Sequence, residues 1–204
     1  MKKTLAFFGA FNPPTRAHID LAEYAMHATG RDDVLYVPSK MEYIRYEQKK
    51  NYAFSDESRI EMLARISANR PWMRYTDIEM HETVQPKTYR TLCKLRDRGE
   101  NPSLLLGADK LEELETGWQF IPEISAEFGI ICLGRSGIDC EAIIRESPFL
   151  SSLNLTLVQP PEQYKDISST RARECLFHLT QMGEELRNIL PPELMNLPSE
   201  VLLK

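Results

Sequence analysis

The chain has 204 residues, of which 42% are hydrophobic and 27% charged, a composition typical of a folded protein with a buried core. Its formal net charge of −5 argues against a broad basic surface for nucleic acid, although a small anionic ligand needs only a few local donors. The apolar runs are too short to span a membrane, and residues 1–8 are too short for a secretory signal, so we expect a cytoplasmic protein without a membrane partner.

Short apolar runs alternate with amphipathic stretches along the whole chain. The candidate strands are residues 5–8, 34–37, 74–78, 104–106, 129–133 and 155–158. Several of them are apolar almost without interruption, which is typical of strands covered on both faces of a parallel sheet. The alternation predicts an α/β doubly wound parallel sheet in one domain, residues 1–204, with a C-terminal helical part at about 168–204. Ligands bind such sheets beyond the carboxyl ends of the strands.

Two helices have a clear apolar face, and one long segment has no period. The first helix follows the N-terminal signal Ser55-Asp56-Glu57 and is predicted to bury Ile60, Leu63, Ala64 and Ser67. The second is predicted to bury Ala172, Cys175, Leu176 and Leu179. Residues 39–51 are polar and rich in tyrosine, which predicts a long loop, and such loops in compact domains often carry function.

The four cysteines predict neither a zinc site nor a redox site, because no two have the two-residue spacing of such motifs. We expect them to be reduced and mostly buried. They are Cys93, Cys132, Cys140 and Cys175.

The segment after the first predicted strand combines a glycine, two prolines and a histidine. Gly9 ends the strand and lets another group approach the backbone, while Pro13 and Pro14 delay the next helix until about Thr15. Thr15 and His18 are three residues apart, so they face the same side of the first helical turn, where free amides and the helix dipole favour phosphate. A histidine there can donate to a phosphate oxygen or to departing pyrophosphate. An ordinary strand–loop–helix connection with a surface histidine explains the spacing equally well.

A second candidate phosphate site follows the last predicted strand. Ser168, Ser169 and Thr170 open a helix, and Arg173 lies one turn further along it. Capping the helix would explain one of the three hydroxyls, whereas three hydroxyls with an arginine can also present donors and positive charge to a triphosphate.

Together, the two segments resemble the signatures of the nucleotidyltransferase superfamily. Residues 15–18 resemble its (H/T)xGH motif, with Ala17 in place of the usual glycine, and residues 9–14 resemble its Gly-x-Phe-(Asp/Asn)-Pro lead-in. Residues 167–173 match its Ile-Ser-Ser-Thr-x-x-Arg motif completely. The resemblance implies a Rossmann-like sheet of the superfamily's type (named for its HIGH motif) and transfer of a nucleotidyl group from a nucleoside triphosphate.

The middle of the chain is similar to nicotinate and nicotinamide mononucleotide adenylyltransferases. Residues 104–111 and Trp118 resemble that family's strand-Gly-Ala-Asp-x-Leu segment and downstream tryptophan. Physically, Gly107 permits close approach, and Asp109 can cap the next helix or accept a hydrogen bond from a ribose hydroxyl. Trp118 can stack on a flat heteroaromatic ring, although a tryptophan in a chain of this size is more often part of the core.

Weaker likenesses extend over most of the remaining chain. Residues 55–63, with Arg59, resemble the family's Ser-x-x-x-Arg helix, and Lys49 or Lys50 lies near its loop lysine. Thr88 and the pair Thr91-Leu92 resemble parts of its Tyr-Thr-x-x-Thr-Leu segment. The likeness is weakest in residues 39–51 and 80–90, which would hold the pyridine mononucleotide.

The resemblance implies attack by the 5′-phosphate of a pyridine mononucleotide on the α-phosphorus of ATP, with release of pyrophosphate. The attacking phosphate is already ionised, so we expect alignment and charge stabilisation rather than a general base or a covalent intermediate. The implied catalytic residues are His18, Thr15, Arg173 and Lys50. The implied ATP contacts are Gly9, Ala10, Phe11, His18, Gly107, Asp109, Ile167, Ser168, Ser169, Thr170 and Arg173. The implied mononucleotide contacts are Asn12, Lys50, Thr88 and Trp118. We predict no protein ligand for a metal, and expect Mg²⁺ to bind through ATP oxygens and water.

Two alternatives remain open from the sequence. The first is another adenylyl- or cytidylyltransferase, acting on phosphopantetheine or a different phosphorylated alcohol; Trp118 and the segment 107–109 argue against it. The second is a non-catalytic nucleotide sensor of the same fold, against which the intact Thr15, His18 and residues 168–173 argue. The sequence also leaves open the choice between nicotinate and nicotinamide mononucleotide and the oligomeric state, a homo-oligomer included.

Overall fold

The computed structural model describes residues 2–50, 52–134, 137–160 and 183–195. Its strands are β1 (Lys3–Gly9), β2 (Asp33–Pro38), β3 (Met73–Tyr75), β4 (Asn101–Gly107), β5 (Ile130–Leu133) and β6 (Leu155–Val158). They form one sheet in the order β3-β2-β1-β4-β5-β6, and every pair is parallel. The predicted doubly wound α/β sheet is therefore confirmed. Beginning at β1, the chain first builds one half of the sheet and then returns to build the other.

Helices cover both faces of the sheet. They are α1 (Arg16–Ala28), α2 (Asp56–Ser67), α3 (Thr88–Asp97), α4 (Glu113–Thr116), α5 (Ile121–Glu127), α6 (Cys140–Glu146), α7 (Pro148–Ser151) and α8 (Gly183–Ile189). Successive strand residues point to opposite faces, so Leu5 joins one apolar core and Ala6 the other. The first core packs against α1, α2 and α8, and the second against α3 to α7. In the described ranges, each helix falls short of the length and apolarity needed to cross a bilayer.

The third strand is shorter than predicted. We expected residues 74–78, whereas β3 ends at Tyr75. The amide of Thr76 still donates to the carbonyl oxygen of Tyr36, but a turn closed by the amide of Met80 and the carbonyl oxygen of Asp77 then leads the chain away from β2. Ile78 is nevertheless buried, because it packs into the second core from this turn rather than from the strand.

The predicted face of α2 is fully buried only at Leu63, while Ile60, Ala64 and Ser67 are half-buried. The N-terminal signal is confirmed, since the hydroxyl of Ser55 accepts a hydrogen bond from the amide of Ser58 at 3.1 Å. The buried face includes Arg59, whose guanidinium donates to the carbonyl oxygen of Ala10. The residues buried on α2 are Ser58, Arg59, Met62, Leu63 and Ile66.

The segment 39–51, predicted as a loop, contains a helical stretch. Residues 41 and 42 are helical, and Tyr43–Glu47 form a π-helical turn. Ile44 is fully buried and anchors this turn, while residues 45–50 are exposed. A single buried position gives no apolar period, which is why the sequence pattern missed the turn.

Three of the four cysteines lie in the described ranges. Cys132 and Cys140 are buried, Cys93 is half-buried, and all three are free thiols, as predicted. Cys175 and the helix predicted around it lie outside the described residues.

Candidate active site

Two glycines mark the candidate site at the carboxyl edge of the sheet. Gly9 ends β1 and Gly107 ends β4, and these strands are hydrogen-bonded neighbours in the sheet. The chain passes from β1 to β2 on one side and reaches β4 on the other, so the strand order reverses here. This is the position at which doubly wound sheets bind their ligands.

The turn after β1 folds back onto its own glycine. Phe11 has a φ of 43°, which turns its ring over Gly9, where a Cβ atom would lie 3.1 Å from the ring. The group that approaches Gly9 closely is therefore the Phe11 ring of the same chain. The Phe11 ring is 1% exposed and packs edge-on against the His18 ring, with centroids 5.3 Å apart. Any contact between Phe11 and ATP thus falls to its backbone, while its ring supports the histidine.

Asn12, which was predicted to contact the mononucleotide, is buried. It connects the segment Gly9–His18, called the first turn below, to the segment before α2. Its side-chain nitrogen donates to the carbonyl oxygen of Tyr52 at 2.8 Å, and its side-chain oxygen accepts from the amide of Phe54 at 2.9 Å. These bonds use both ends of the amide. The structure therefore gives Asn12 a role in holding the turn.

Thr15 and His18 form a reciprocal cap at the start of α1. The Thr15 hydroxyl accepts from the amide of His18 at 3.4 Å, and the His18 Nδ1 atom accepts from the amide of Thr15 at 3.0 Å. The hydroxyl also lies 2.8 Å from Nδ1, to which it can donate. Because Nδ1 accepts, the proton of the neutral imidazole lies on Nε2. Nε2–H is thereby left as the donor for a ligand.

Burial keeps this imidazole neutral. It lowers the pKa of His18 to about 4, an effect opposed in part by the nearby Asp109 carboxylate. A histidine of pKa about 4 carries no charge at neutral pH. At neutral pH the His18 ring is therefore a neutral hydrogen-bond donor.

Asp109 follows β4 in the 3₁₀ turn Ala108–Lys110 and is exposed. Its carboxylate folds back towards Gly107, where a Cβ atom would lie 2.7 Å from the Asp109 Oδ1 atom. Gly107 leaves room for this approach. Asp109 does not cap the helical turns that follow it.

Arg59 connects the first turn to α2, a role that the sequence did not assign. It is fully buried, and its guanidinium donates to the carbonyl oxygen of Ala10 at 2.9 Å and to that of Phe54 at 3.3 Å. It also forms a short ion pair with Asp56, whose Oδ1 atom accepts from the amide of Met41. The Ser-x-x-x-Arg spacing was the available signal for this residue, although it gave no indication of burial.

The other predicted residues of the acceptor side lie on separate elements. Lys50 is exposed, Thr88 begins α3 and is half-buried, and Trp118 is half-buried against the second core. Among the described residues, none of their side chains is hydrogen-bonded to the first turn. Trp118 packs against the second core, in agreement with the interpretation of this residue as part of the core, and part of its side chain stays exposed.

The second predicted phosphate segment follows β6 in the sequence. Ile167, Ser168, Ser169, Thr170 and Arg173 lie outside the described residues. The structure thus describes the half of the predicted ATP site formed by the residues after β1 and β4.

The family model described as cytidylyltransferase-like matches residues 6–175. The chain belongs to this family. It is 28% identical over 177 residues to the nicotinate-nucleotide adenylyltransferase of Bacillus subtilis, with 85% of each chain covered. It is 27% identical over 183 residues to a nicotinamide/nicotinic acid mononucleotide adenylyltransferase of Oryza sativa subsp. japonica, covering 82% of this chain and 74% of the rice protein.

A solved member of the fold covers the chain completely. It is the nicotinic acid mononucleotide adenylyltransferase of Plasmodium falciparum complexed with NaAD, which covers 100% of this chain and 95% of its own, with a TM-score of 0.75 and 19% identity. This similarity shows that the two proteins share a fold. In this chain, Thr15 and His18 follow the carboxyl end of β1 at the start of α1.

Proposed function

We propose that this protein transfers the adenylyl group of ATP to nicotinate mononucleotide or nicotinamide mononucleotide, forming the dinucleotide and pyrophosphate in NAD biosynthesis. The observation that carries the reaction type is the Thr15–His18 cap, which holds Nδ1 as an acceptor and leaves Nε2–H free to donate. The relatives in B. subtilis and rice, both named as pyridine mononucleotide adenylyltransferases, support the acceptor class.

In the proposed reaction an oxygen of the acceptor's 5′-phosphate forms a bond to the α-phosphorus of ATP. The bond from that phosphorus to the bridging oxygen of the β-phosphate breaks, and pyrophosphate leaves with the electron pair. The attacking phosphate is ionised at neutral pH, so the step needs no base. His18 donates from Nε2 to a non-bridging or departing oxygen as charge develops there, and the free amides at the start of α1 add to this stabilisation.

The remaining roles follow the family motifs. Ser168, Ser169, Thr170 and Arg173 would hold the triphosphate, and Lys50 would reach one of the reacting phosphates. Asp109 would accept from a hydroxyl of the adenosine ribose, since its carboxylate is exposed beside His18. Thr88 and the exposed part of Trp118 would contact the mononucleotide.

Mg²⁺ fits this site as an ion carried by ATP. Within the described ranges, no three His, Cys, Asp or Glu side chains are close enough together to hold a metal. Phosphate oxygens and water would therefore supply most of its ligands. When bound, the ion would neutralise part of the triphosphate charge.

The test is pyrophosphate release from ATP with a panel of acceptors comprising nicotinate mononucleotide, nicotinamide mononucleotide and phosphopantetheine. We expect turnover with at least one pyridine mononucleotide, and the ratio of kcat/KM for the two gives the preference between acid and amide. Turnover with phosphopantetheine alone would assign the protein to a different branch of the superfamily. Tight ATP binding without turnover on any acceptor would establish a nucleotide sensor instead.

A further inference from the structure

A buried carboxylate lies in the segment between β3 and α3, outside the site described above. Glu79 is 1% exposed, and burial is the main cause that raises its pKa to about 7. Among the described residues, only neutral groups donate to its oxygens: the Thr91 hydroxyl at 2.8 Å and the Gln85 side-chain amide at 2.5 Å. A carboxylate without a cationic partner is costly to bury, so a core position would favour an apolar side chain.

The same network reaches the end of β2. The Gln85 side-chain oxygen accepts from the amide of Lys40 at 2.9 Å. Lys40 is itself 8% exposed, and its Nζ atom donates to the carbonyl oxygens of Met80 and Glu82 at 3.1 and 2.7 Å. The residue after Pro38, Ser39, donates from its amide to the carbonyl oxygen of Gly9 at 3.0 Å. Residues 79–85 are therefore hydrogen-bonded to Lys40, which follows β2, the strand beside β1.

The other end of the network leads to the start of α3. Thr91 lies three residues after Thr88, which begins this helix, and is buried at 1% exposure. Its hydroxyl bond to Glu79 fixes the helix start against the segment 79–85. Glu79 thus joins two elements: residue 40 at the carboxyl end of β2, by way of Gln85, and the beginning of α3.

We propose that Glu79 is a positioning residue for the acceptor, holding residues 79–88 and the start of α3 at the distance from the first turn that the acceptor requires. This inference rests on the proposed transfer to a phosphorylated acceptor. Glu79 touches neither substrate, and it acts through Gln85 and Thr91. Among the described residues, the side chains of this network make no hydrogen bond to Thr15, His18 or Asp109, so we expect ATP binding to be independent of Glu79.

The test compares Glu79→Ala and Glu79→Gln with Glu61→Gln as the control. Glu61 is half-exposed on α2, where it pairs with Arg65, so it lies on a different element from residues 79–88 and α3. Glu79→Ala should raise the KM of the acceptor about tenfold, with the KM of ATP and kcat within about twofold. Glu79→Gln, which keeps an acceptor and a donor in place, should restore the acceptor KM to within about threefold of wild type. Glu61→Gln should match wild type.

An unchanged acceptor KM in Glu79→Ala, or an equal loss in ATP KM and kcat, would overturn the positioning role. If Glu79→Ala lacks a cooperative unfolding transition, Thr91→Val replaces it, since it removes one of the two donors at nearly constant volume, and the same split in KM is required. The measurement uses whichever acceptor the wild type turns over. Inactivity of the wild type with both pyridine mononucleotides contradicts the proposed function, whereas an active wild type without the split contradicts this inference alone.

Discussion

The guanidinium of Arg59 donates a hydrogen bond to the carbonyl oxygen of Ala10 at 2.9 Å, joining α2 to the turn that follows β1. Ala10 lies between Gly9 and Phe11, and the Phe11 ring packs against His18. The buried arginine therefore supports the backbone whose shape sets the histidine's position. This arrangement makes Arg59 a structural determinant of the site although it lies on a different element.

Replacing Arg59 with methionine should reduce the free energy of unfolding by roughly 3 kcal/mol, because it leaves the carbonyl oxygen of Ala10 and the Asp56 carboxylate without their buried partner. Urea denaturation measures the change. Arg65→Met on the same helix is the control: Arg65 is half-exposed and pairs with Glu61, so its loss should cost less than about 1 kcal/mol. Equal effects of the two substitutions would contradict the supporting role of Arg59.

Replacing His18 with alanine should lower kcat about 10²–10³-fold while the KM of ATP changes little, because the lost hydrogen bond strengthens as charge develops in the transition state. His27→Ala is the matched control, since His27 lies on the exposed side of the same helix and should leave both constants unchanged. Near-normal turnover in His18→Ala would rule out its role in stabilising the phosphate charge.

The imidazole of His18 should titrate near pH 4 in the free protein, because burial lowers its pKa to about that value. The ring is then neutral from about pH 5 upwards, and protonation of His18 removes activity only as the pH falls towards 4. A proton NMR titration, with the resonance assigned from His18→Gln, measures the midpoint. Asp109→Asn should lower the midpoint further, since Asp109 raises the pKa of His18. A midpoint close to 6.5 in the wild type would be incompatible with the buried, capped ring.

Glu79 should make the folded protein less stable as the pH rises. Its pKa is raised from 4.5 to about 7, so the folded state binds more protons than the unfolded state between these values. The free energy of unfolding therefore falls across that range, by up to about 3 kcal/mol. Glu79→Gln does not titrate and should gain stability relative to wild type between pH 5 and pH 8. Denaturation curves at several pH values measure the difference, and a difference independent of pH would show that Glu79 is not desolvated.

The sequence predicted a strand near each of the six observed ones, most clearly where a strand covered on both faces is a continuous apolar run, as at residues 104–106. It predicted the start of α1 at Thr15, since the two prolines and the hydroxyl mark a helix N-terminus. It misjudged β3, because Ile78 is buried from a turn, and apolar character alone does not separate these two cases. The π-helical turn at 43–47 was missed because it has a single buried residue, Ile44, and one buried position gives no apolar period.

Charged residues account for the larger errors. Patterns of hydrophobicity treat arginine and glutamate as exposed, whereas Arg59 and Glu79 are both buried. Their burial depends on partners distant in sequence, such as Ala10 for Arg59, or on indirect connections such as that from Glu79 to Lys40. Motif resemblance identified Arg59 as a family position, but only the fold showed which atom it contacts. For Glu79 the sequence carried no such signal.

The strand order reverses at β1, so the connections that follow β2 and β3 lie on one side of this strand and the segment after β4 lies on the other. Residues 39–50 and 76–88 follow β2 and β3 and contain two of the four predicted acceptor contacts, Lys50 and Thr88. Insertions or substitutions on the first side can reshape acceptor recognition while Thr15, His18 and Asp109 stay in place. A single scaffold can in this way diverge towards new phosphorylated acceptors and retain its triphosphate donor.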